Sequence, residues 1–456
     1  MLTYNIQTFG CTMNYSDSER METYLEALGF SKTEDLEQAS MVLFNTCSIK
    51  QKAEDKVFGT IRNVAKFKKN NPNLTIVVTG CMVRSSSSKY SSTRDKLFGR
   101  MKELDIALRI EELPKLAALT REVHPHIKLP EIQEESLEDY FKIDASHEST
   151  TSKAQAFVAI SNGCDKFCTY CIVPYSRGRE KSRKITDILE EVESLVENGC
   201  KEITLIGQTV NSYGLSRYDQ ENETFNYLKE KEPFVELLEQ LDKLSTKGLQ
   251  RVRFTSPHPK DMSDQLIDAM VELKTQMPYL HLPVQSGDDR TLKRMNRPYT
   301  IEKFRDTVTK LRERIPDIAI TTDIIVGFCG ETEEEFENTF NFFNEMGFEH
   351  AYISQYSERI GTTAAKFIKD DIAQETKKER WHRLNNLLKE TSKRGLERFH
   401  GKTVNVIVER QDGETCLGRS EHYKTVQFKS GRKLVGELVT VKVTDSKEWI
   451  LEGELA

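Results

Sequence analysis

The feature that most restricts the fold is a series of six short apolar runs spread over residues 156–356, separated by segments of helical periodicity. Strands that alternate with helices form a parallel sheet covered by helices, because parallel strands need long crossover connections. Six such repeats predict an α/β fold containing a partial (β/α)6 barrel, shorter than the eight-stranded form. The predicted strands are residues 156–160, 202–206, 251–255, 279–284, 319–326 and 351–356.

Three cysteines follow the first of these strands in the spacing C-x3-C-x2-C, at Cys164, Cys168 and Cys171. Three thiolates on one short loop can bind three irons of a cubane cluster, and no fourth cysteine follows nearby. Structural clusters use four thiolates, so an iron with an open position indicates that something else binds there. The alternative is a zinc site, although zinc motifs usually contain two ligand pairs.

A second set of three cysteines, Cys11, Cys47 and Cys81, ends three predicted strands in the N-terminal region. The carboxyl ends of parallel strands share one edge of a sheet, so these cysteines are expected on one rim. There they could form a second three-thiolate site. The alternative is three isolated cysteines that happen to end strands. The predicted strands are residues 2–9, 41–45 and 75–79, with helices at 18–28 and 54–70.

The C-terminal region changes character after a long charged helix predicted at residues 371–399. Short strands and glycines over residues 402–455 predict a small five-stranded β-barrel, a fold that often binds oligonucleotides. The chain has a net charge of −6, but residues 374–402 contain nine Lys/Arg against four Asp/Glu. Such a basic stripe can bind phosphate, and the alternative is a solvated helix face.

Composition is that of a globular protein, with 37% hydrophobic and 30% charged residues. No apolar stretch approaches the length of a membrane span, and the N-terminus lacks the pattern of an export signal. Nine cysteines without such a signal favour a reducing cytoplasm. A serine-rich run at residues 85–93 predicts a mobile loop after Cys81.

With these motifs identified, the chain resembles the radical S-adenosylmethionine (SAM) methylthiotransferases over essentially its whole length. The resemblance implies an auxiliary [4Fe–4S] cluster on Cys11, Cys47 and Cys81. It implies a second [4Fe–4S] cluster, which cleaves SAM, on Cys164, Cys168 and Cys171. Cys200, Cys329 and Cys416 have no ligand-like context and are interpreted as structural. The three N-terminal motifs that carry the resemblance are FGCTMN at 9–14, FNTCSI at 44–49 and VTGCM at 78–82.

The segments VPYSRGREKSR at 173–183 and IGQTVNSYG at 206–214 resemble the tRNA-modifying branch of the family. This branch implies transfer of a methylthio group to carbon 2 of N(6)-isopentenyladenosine beside the anticodon, at position 37 of tRNA, with two SAM molecules per product. One alternative is a methylthiotransferase acting on threonylcarbamoyl-adenosine in tRNA or on a ribosomal protein aspartate. A second alternative is a non-catalytic, zinc-containing RNA-binding protein.

The resemblance also implies a domain order. We predict a Rossmann-like methylthiotransferase domain at 1–121, an acidic linker at 122–153, a radical SAM domain at 154–396 and an OB-like TRAM domain at 397–456. The small barrel is expected to supply tRNA affinity rather than chemistry. The implied partners are the anticodon stem-loop of tRNA, an electron donor such as flavodoxin or ferredoxin, and a sulfur source. A cytoplasmic monomer without a membrane partner is expected.

Polar residues near the ends of the barrel strands are expected to hold SAM and the substrate base. No catalytic residue is assigned beyond the cluster ligands, and each candidate could instead cap a loop. The candidates are Gln208, Ser256, Gln285 and Asp323, with Tyr170 beside the adenine of SAM. A basic group after the cysteine loop is expected to contact tRNA phosphates or the SAM carboxylate, and comprises Arg177, Arg179, Lys181, Arg183 and Lys184.

Overall fold

The computed structural model describes residues 2–47, 51–130, 137, 139–147 and 152–456. The chain divides into two compact units. The first consists of Met1–Ser149 with two segments of the cysteine loop, Asn162–Lys166 and Cys171–Glu180. The second consists of Thr150–Ser161, Phe167–Tyr170 and Lys181–Ala456.

The first unit is built on a six-stranded sheet in the order β2-β1-β3-β4-β6-β5, parallel except for β5. Its central strands are continuous apolar runs that are buried on both faces, as expected where helices cover a parallel sheet. The strands are β1 Leu2–Phe9, β2 Phe30–Lys32, β3 Met41–Thr46, β4 Thr75–Gly80, β5 Ser87–Ser88 and β6 Ile106–Leu108. The helices are α1 Thr12–Ala27, α2 Gln51–Ala65, α3 Leu97–Arg100 and α4 Leu116–Val123.

The serine-rich run after Cys81 is ordered, so the prediction of a mobile loop is wrong. Ser87 and Ser88 form the buried strand β5 at the edge of the sheet. The Ser88 hydroxyl donates a hydrogen bond to Glu122 Oε2 at 2.6 Å, and Asp95 accepts from the backbone of Ser85 at 2.8 Å. Small hydroxyl side chains therefore satisfy buried polar groups here, which composition alone did not reveal.

Part of the segment expected as a linker packs on the core of the first unit. Leu129, Tyr140 and Ile143 are buried in the apolar cluster that also contains Tyr24 and Leu113. The linker prediction followed acidic composition and weak periodicity. Single anchoring side chains between polar stretches leave no such periodic signal. Residues 131–136, 138 and 148–151 of this segment lie outside the described residues.

The second unit contains the predicted partial barrel. Two three-stranded parallel sheets, β11-β10-β7 and β12-β13-β14, supply six strands, each overlapping a predicted one. Leu205, Val252 and Ile324 belong to the core beneath the helices. The strands of this region are β7 Gln155–Ala159, β8 Ser161–Asn162, β9 Lys181–Ser182, β10 Glu202–Ile206, β11 Arg251–Phe254, β12 Tyr279–His281, β13 Ala319–Val326 and β14 His350–Gln355. Helix α5 Val173–Ser176 belongs to the segment of the cysteine loop in the first unit. The helices of the second unit in this region are α6 Ile185–Glu197, α7 Arg217–Glu221, α8 Pro233–Lys243, α9 Asp264–Glu272, α10 Asp289–Arg294, α11 Ile301–Arg314, α12 Glu333–Met346 and α13 Thr363–Phe367.

A long helix and a closed five-stranded barrel complete the second unit, and the barrel confirms the prediction for this region. The barrel has the order β15-β16-β17-β19-β18 around a core that includes Val406, Phe428 and Leu451. These elements are α14 Gln374–Glu397, β15 Thr403–Asp412, β16 Thr415–Ser420, β17 Thr425–Lys429, β18 Leu438–Lys447 and β19 Ile450–Leu455. Over the described part of the chain, no helix is long and apolar enough to cross a membrane.

Basic residues of α14 are largely engaged in ion pairs. Lys377 and Arg380 are buried, and their partners are Asp370 at 2.6 Å and Glu331 at 2.8 Å. Arg383 reaches Glu337 at 2.5 Å. These side chains fix the helix on the protein. Other basic residues of the same helix are exposed, namely Lys378, Lys389, Lys393 and Arg394. Phosphate binding by this stripe therefore stays a prediction.

Two buried arginines of β11 attach the small barrel to the partial barrel. Arg253 donates to the carbonyls of Ser420 at 2.8 Å and Glu421 at 3.0 Å. Arg251 donates to the carbonyl of Asn405 at 2.6 Å. Both approach the buried Glu202 carboxylate. Burial alone would raise the pKa of Glu202, but the two guanidinium groups lower it, so the carboxylate stays ionised.

Candidate active site

Cys11, Cys47 and Cys81 lie at the carboxyl edge of three neighbouring strands of the first unit. Phe9 pairs with Thr46, and Thr46 pairs with Gly80, so β1, β3 and β4 end at the same level. The Cys47 amide donates to the Phe9 carbonyl at 2.7 Å, and the Cys81 amide donates to the Thr46 carbonyl at 2.8 Å. The sheet therefore brings together three cysteines that are far apart in sequence, where the parallel-sheet rule placed them.

Glycines before two of these cysteines permit a close approach of the backbone. Gly80 has a φ of +85°, and a Cβ there would lie 2.3 Å from the Thr46 carbonyl oxygen. A Cβ on Gly10 would lie 2.0 Å from the Asn14 side-chain oxygen. Asn14 in turn donates to Asn45 Oδ1 at 2.8 Å, which ties the start of α1 to β3. The strand ends are thus fixed by local sequence as well as by pairing.

A buried cation lies beside these thiols. Arg177, which is in the first unit, pairs with Asp17 at 2.5 Å, and both side chains are almost fully buried. Tyr140 donates to the same carboxylate at 2.5 Å. Burial opposes the charge of Arg177, but Asp17 and Cys81 hold its pKa well above the usual range. Burial raises the pKa of the Cys11 thiol, and Arg177 partly opposes that rise.

Three thiols at one sheet edge form a donor set that suits an iron–sulfur cluster, whose irons are held by cysteine thiolates. Among the described residues, no group of three His, Cys, Asp or Glu side chains is arranged to hold one metal ion. Arg177 Nε has no hydrogen-bond partner in the described structure, although it is buried. A cation with a free donor suits a neighbouring anionic group.

The cysteine loop after β7 is held at several points within each unit. In the first unit, the Cys164 amide donates to the Gly178 carbonyl at 3.1 Å. Gly163 has a φ of +82°, and a Cβ there would lie 2.2 Å from the Arg179 carbonyl oxygen. In the second unit, Thr169 bonds through its amide and hydroxyl to the carbonyls of Met295 at 3.0 Å and Arg294 at 2.8 Å. The loop is therefore shaped before any cofactor binds.

Arg297 is a site residue that the sequence did not indicate. Its Nη1 donates to Cys168 Sγ at 3.6 Å, and its Nη2 donates to the Pro283 carbonyl at 2.8 Å. The side chain is buried, which opposes its charge, but Tyr299, Tyr170 and Cys168 together hold its pKa well above the usual range. The guanidinium therefore places a fixed positive charge beside the Cys168 sulfur. Nothing in the spacing of the sequence could have connected it with the cysteine loop.

Two predicted SAM residues have unusual backbone conformations. Ser256 and Gln285 both have positive φ values, 57° and 70°. Ser256 follows β11 and Gln285 follows β12, while Gln208 follows β10 on a half-buried bend. Non-glycine residues in this region of φ/ψ space cost energy and are concentrated at functional sites. Tyr170 packs edge-on against Phe328 with ring centroids 6.4 Å apart.

Asp323 does not lie at a strand end, so this part of the expectation was wrong. It occupies the middle of β13, where its Oδ2 is 3.4 Å from His281 Nε2. His281 also bonds to Thr321 at 2.9 Å. Alternation along the strand puts Thr321 and Asp323 on the face opposite the buried Ile324. The role of Asp323 in binding SAM or the substrate base stays a prediction.

Two members of the basic group after the cysteine loop are internal. Arg177 pairs with Asp17 and Arg183 pairs with Glu191, each at 2.5 Å, and both arginines are buried. Both charges are already compensated, so the expectation of phosphate contact is wrong for these two arginines. The exposed members are Arg179, which forms two bonds to Asp165 at 2.6 and 3.0 Å, and Lys181 and Lys184. Phosphate contact by these three residues stays a prediction.

Comparison with known proteins agrees with this architecture. Residues 158–343 match the Radical SAM superfamily, residues 3–99 match the uncharacterized protein family UPF0004, and residues 397–456 match the TRAM domain. The tRNA-2-methylthio-N(6)-dimethylallyladenosine synthase of Staphylococcus haemolyticus strain JCSC1435 is 40% identical over 455 residues, covering 99% of this chain and 84% of the relative. The synthase of the same name from Thermoanaerobacter sp. strain X514 is 41% identical, covering 100% and 93%. This chain belongs to their family.

A solved structure supports the fold of this radical SAM enzyme. The radical SAM methyltransferase TsrM from Kitasatospora setae, with tryptophan and a SAM analogue bound, aligns with a TM-score of 0.52 at 14% identity. The alignment covers 77% of this chain and 72% of TsrM. Membership of the superfamily implies SAM and a [4Fe–4S] cluster as cofactors, in agreement with the cysteine loop after β7.

Proposed function

We propose that this enzyme is a tRNA methylthiotransferase that adds a methylthio group to carbon 2 of N(6)-isopentenyladenosine at position 37, beside the anticodon. The observation that carries the proposal is identity of about 40% over essentially the whole chain to synthases named for this product. A non-catalytic zinc protein does not fit membership of the radical SAM superfamily.

We assign separate roles to the two cysteine sets. Cys164, Cys168 and Cys171 would hold the cluster at which SAM is cleaved, with Arg297 donating a hydrogen bond to the Cys168 sulfur. Cys11, Cys47 and Cys81 would hold an auxiliary [4Fe–4S] cluster at the sheet edge, with the buried Arg177 beside the thiols. When bound, the two clusters supply the electron for SAM cleavage and a binding position for the sulfur to be transferred.

The remaining site residues would position the reactants. Gln208, Ser256 and Gln285 supply amide and hydroxyl groups that can hydrogen-bond the polar parts of SAM, and Tyr170 offers a ring beside its adenine. Asp323 can accept a hydrogen bond from an exocyclic amine. Carbon 2 of adenine carries an inert C–H, so an electron donor such as flavodoxin or ferredoxin and a separate sulfur source belong to the proposal.

The test is methylthiolation by the protein purified and reconstituted without oxygen. The expected result is a methylthio product on isopentenylated tRNA and none on the same tRNA without the isopentenyl group, read by mass spectrometry of the nucleosides. A product on threonylcarbamoyl-adenosine or on a ribosomal protein aspartate, in place of isopentenyladenosine, would contradict the proposed substrate. A colourless preparation that contains zinc and no iron would contradict the chemistry itself.

A further inference from the structure

A cavity of about 300 Å³ opens in the second unit where strands β12–β14 meet the small barrel. This volume is at the lower end of the range for small-ligand pockets. Nearly half of its lining residues carry rings. Strands of the partial barrel contribute these rings on one side, and the β16–β17 and β18–β19 loops contribute them on the other. The ring-bearing residues are Tyr279, His350, Tyr352, His422, Tyr423 and Trp449.

One wall of this cavity presents an open tyrosine ring. Tyr352 is 56% exposed and stands on β14, an edge strand of its three-stranded sheet. His281 and His350 support it edge-on, with ring centroids 5.8 and 4.9 Å away. His350 in turn contacts Trp449 at 5.6 Å. Tyr352 thus has two edge-to-face ring neighbours and stays 56% exposed, which leaves ring surface on which a flat ligand can stack.

The opposite wall carries a second tyrosine with a cation on it. Tyr423 lies 4.8 Å from Tyr279, with their planes tilted by 35°. The Arg419 guanidinium is 4.8 Å from the Tyr423 ring centroid. Stacked rings and guanidinium planes are the surfaces on which proteins receive unpaired nucleobases.

The cations around the cavity are paired with carboxylates. Glu349 pairs with Lys424 at 2.6 Å and with Arg398 at 2.7 Å. Arg419 faces Glu409 at 3.8 Å. His422 is neutral at physiological pH, because burial and Arg398 lower its pKa to about 3. The exposed rings therefore offer the surface for a ligand, and they suit an uncharged, flat group.

The cavity is displaced from the end of the barrel where the chemistry occurs. Tyr279 and His350 are the first residues of β12 and β14, whereas the cysteine loop follows the carboxyl end of β7. Tyr352 is three residues from the end of β14, which corresponds to roughly 10 Å at the usual rise of a strand. A ligand here is a different group from the one that reacts.

We propose that this cavity binds an unstacked nucleobase of the tRNA anticodon loop other than the adenine that is modified. The inference rests on the proposed function, which supplies single-stranded RNA as the partner. A stacked base contributes about 1–3 kcal/mol without neutralising a phosphate. Tyr352 therefore determines affinity for the loop and leaves the salt dependence of binding unchanged.

The first experiment measures the Kd of an isopentenylated anticodon stem-loop for the full-length, cluster-loaded protein at several salt concentrations. Tyr352→Ala should raise the Kd about tenfold, with an unchanged slope of log Kd against log salt. Tyr352→Phe keeps the ring and should bind like the parent. Tyr227→Ala removes an exposed tyrosine outside the cavity and is the matched control. An unchanged Kd in Tyr352→Ala, or a reduced salt slope, would overturn the proposal.

The second experiment identifies the base with stem-loops that carry 2-aminopurine at one loop position at a time. At one position other than the modified one, the parent protein should quench the fluorescence of 2-aminopurine. Tyr352→Ala should not quench the fluorescence at that position. If none responds, or if the modified position alone responds, the cavity is not a second base site. Failure of the proposed function looks different, because the parent protein would then not bind the stem-loop or would not methylthiolate it. Iron content and an unfolding midpoint equal to those of the parent check that Tyr352→Ala is folded.

Discussion

At the scale of single residues, the pair formed by Arg177 and Asp17 has two consequences. Both side chains are almost completely buried, so each charge depends on the other for compensation. Arg177 also donates to Asn162 at 3.0 Å, and so holds the start of the cysteine loop within the first unit. The sequence placed Arg177 in a group that was expected to contact phosphate. In the structure, Arg177 instead stabilises the first unit and lies beside its thiols.

Arg177→Gln should lower the stability of the protein by about 3–5 kcal/mol, because it leaves the Asp17 carboxylate buried without a cation. The measurement is chemical denaturation under anaerobic conditions. The double variant Arg177→Gln/Asp17→Asn, which removes both charges, should recover a large part of this loss. If the double variant is no more stable than the single one, compensation of charge is not the reason for the loss.

His422 should make stability depend on pH in the acidic range. Its pKa falls from 6.5 to about 3 on folding, because of burial and the charge of Arg398. Between these values the unfolded chain binds a proton that the folded chain does not, so stability falls as the pH falls below 6.5. Between pH 7.5 and 5.5, the free energy of unfolding of His422→Phe should decrease by about 1 kcal/mol less than that of the parent. Denaturation midpoints of both proteins at the two pH values provide the comparison, and parallel curves would contradict it.

At the scale of secondary-structure elements, the strands could be predicted from the sequence because each is an apolar run followed by polar residues or glycine. The rule that parallel strands end at one edge then placed Cys11, Cys47 and Cys81 together without any resemblance. The same reasoning could not find Arg297, which reaches Cys168 only through the folding of the barrel. It also mistook β5 for a mobile loop, since buried serines have no hydrophobic period.

Gly163 tests how far the backbone of the cysteine loop is constrained. Gly163→Ala places a Cβ 2.2 Å from the Arg179 carbonyl oxygen at a φ of +82°. The backbone must shift, so the free energy of unfolding should fall by about 1–3 kcal/mol in the variant. The loop should also bind less iron. Iron content and the unfolding midpoint are the readouts. Gly59→Ala, on the exposed side of α2 with no atom within 4 Å, is the control and should keep both values.

At the scale of the whole molecule, the chain carries two sets of three cysteines, one at the sheet edge and one on the loop after β7, to which we assign separate roles. Alanine at Cys164, Cys168 and Cys171 together should reduce iron to about half of the parent value and abolish SAM cleavage, because thiolates ligate metal and cannot be replaced by a methyl group. Iron, sulfide and 5′-deoxyadenosine are measured in anaerobic preparations. Full iron content, or continued formation of 5′-deoxyadenosine, would show that SAM is cleaved elsewhere.

The N-terminal set should affect sulfur transfer alone. Alanine at Cys11, Cys47 and Cys81 should also leave about half of the iron, but SAM cleavage should persist while the methylthio product disappears, because the loop after β7 is unchanged. The matched control is alanine at Cys200, Cys329 and Cys416, three buried cysteines outside both sets. It removes as many thiols and should keep all of the iron and the product. If the N-terminal variant still methylthiolates tRNA, the sheet edge has no part in sulfur transfer. If it loses SAM cleavage as well, the two sets do not act separately.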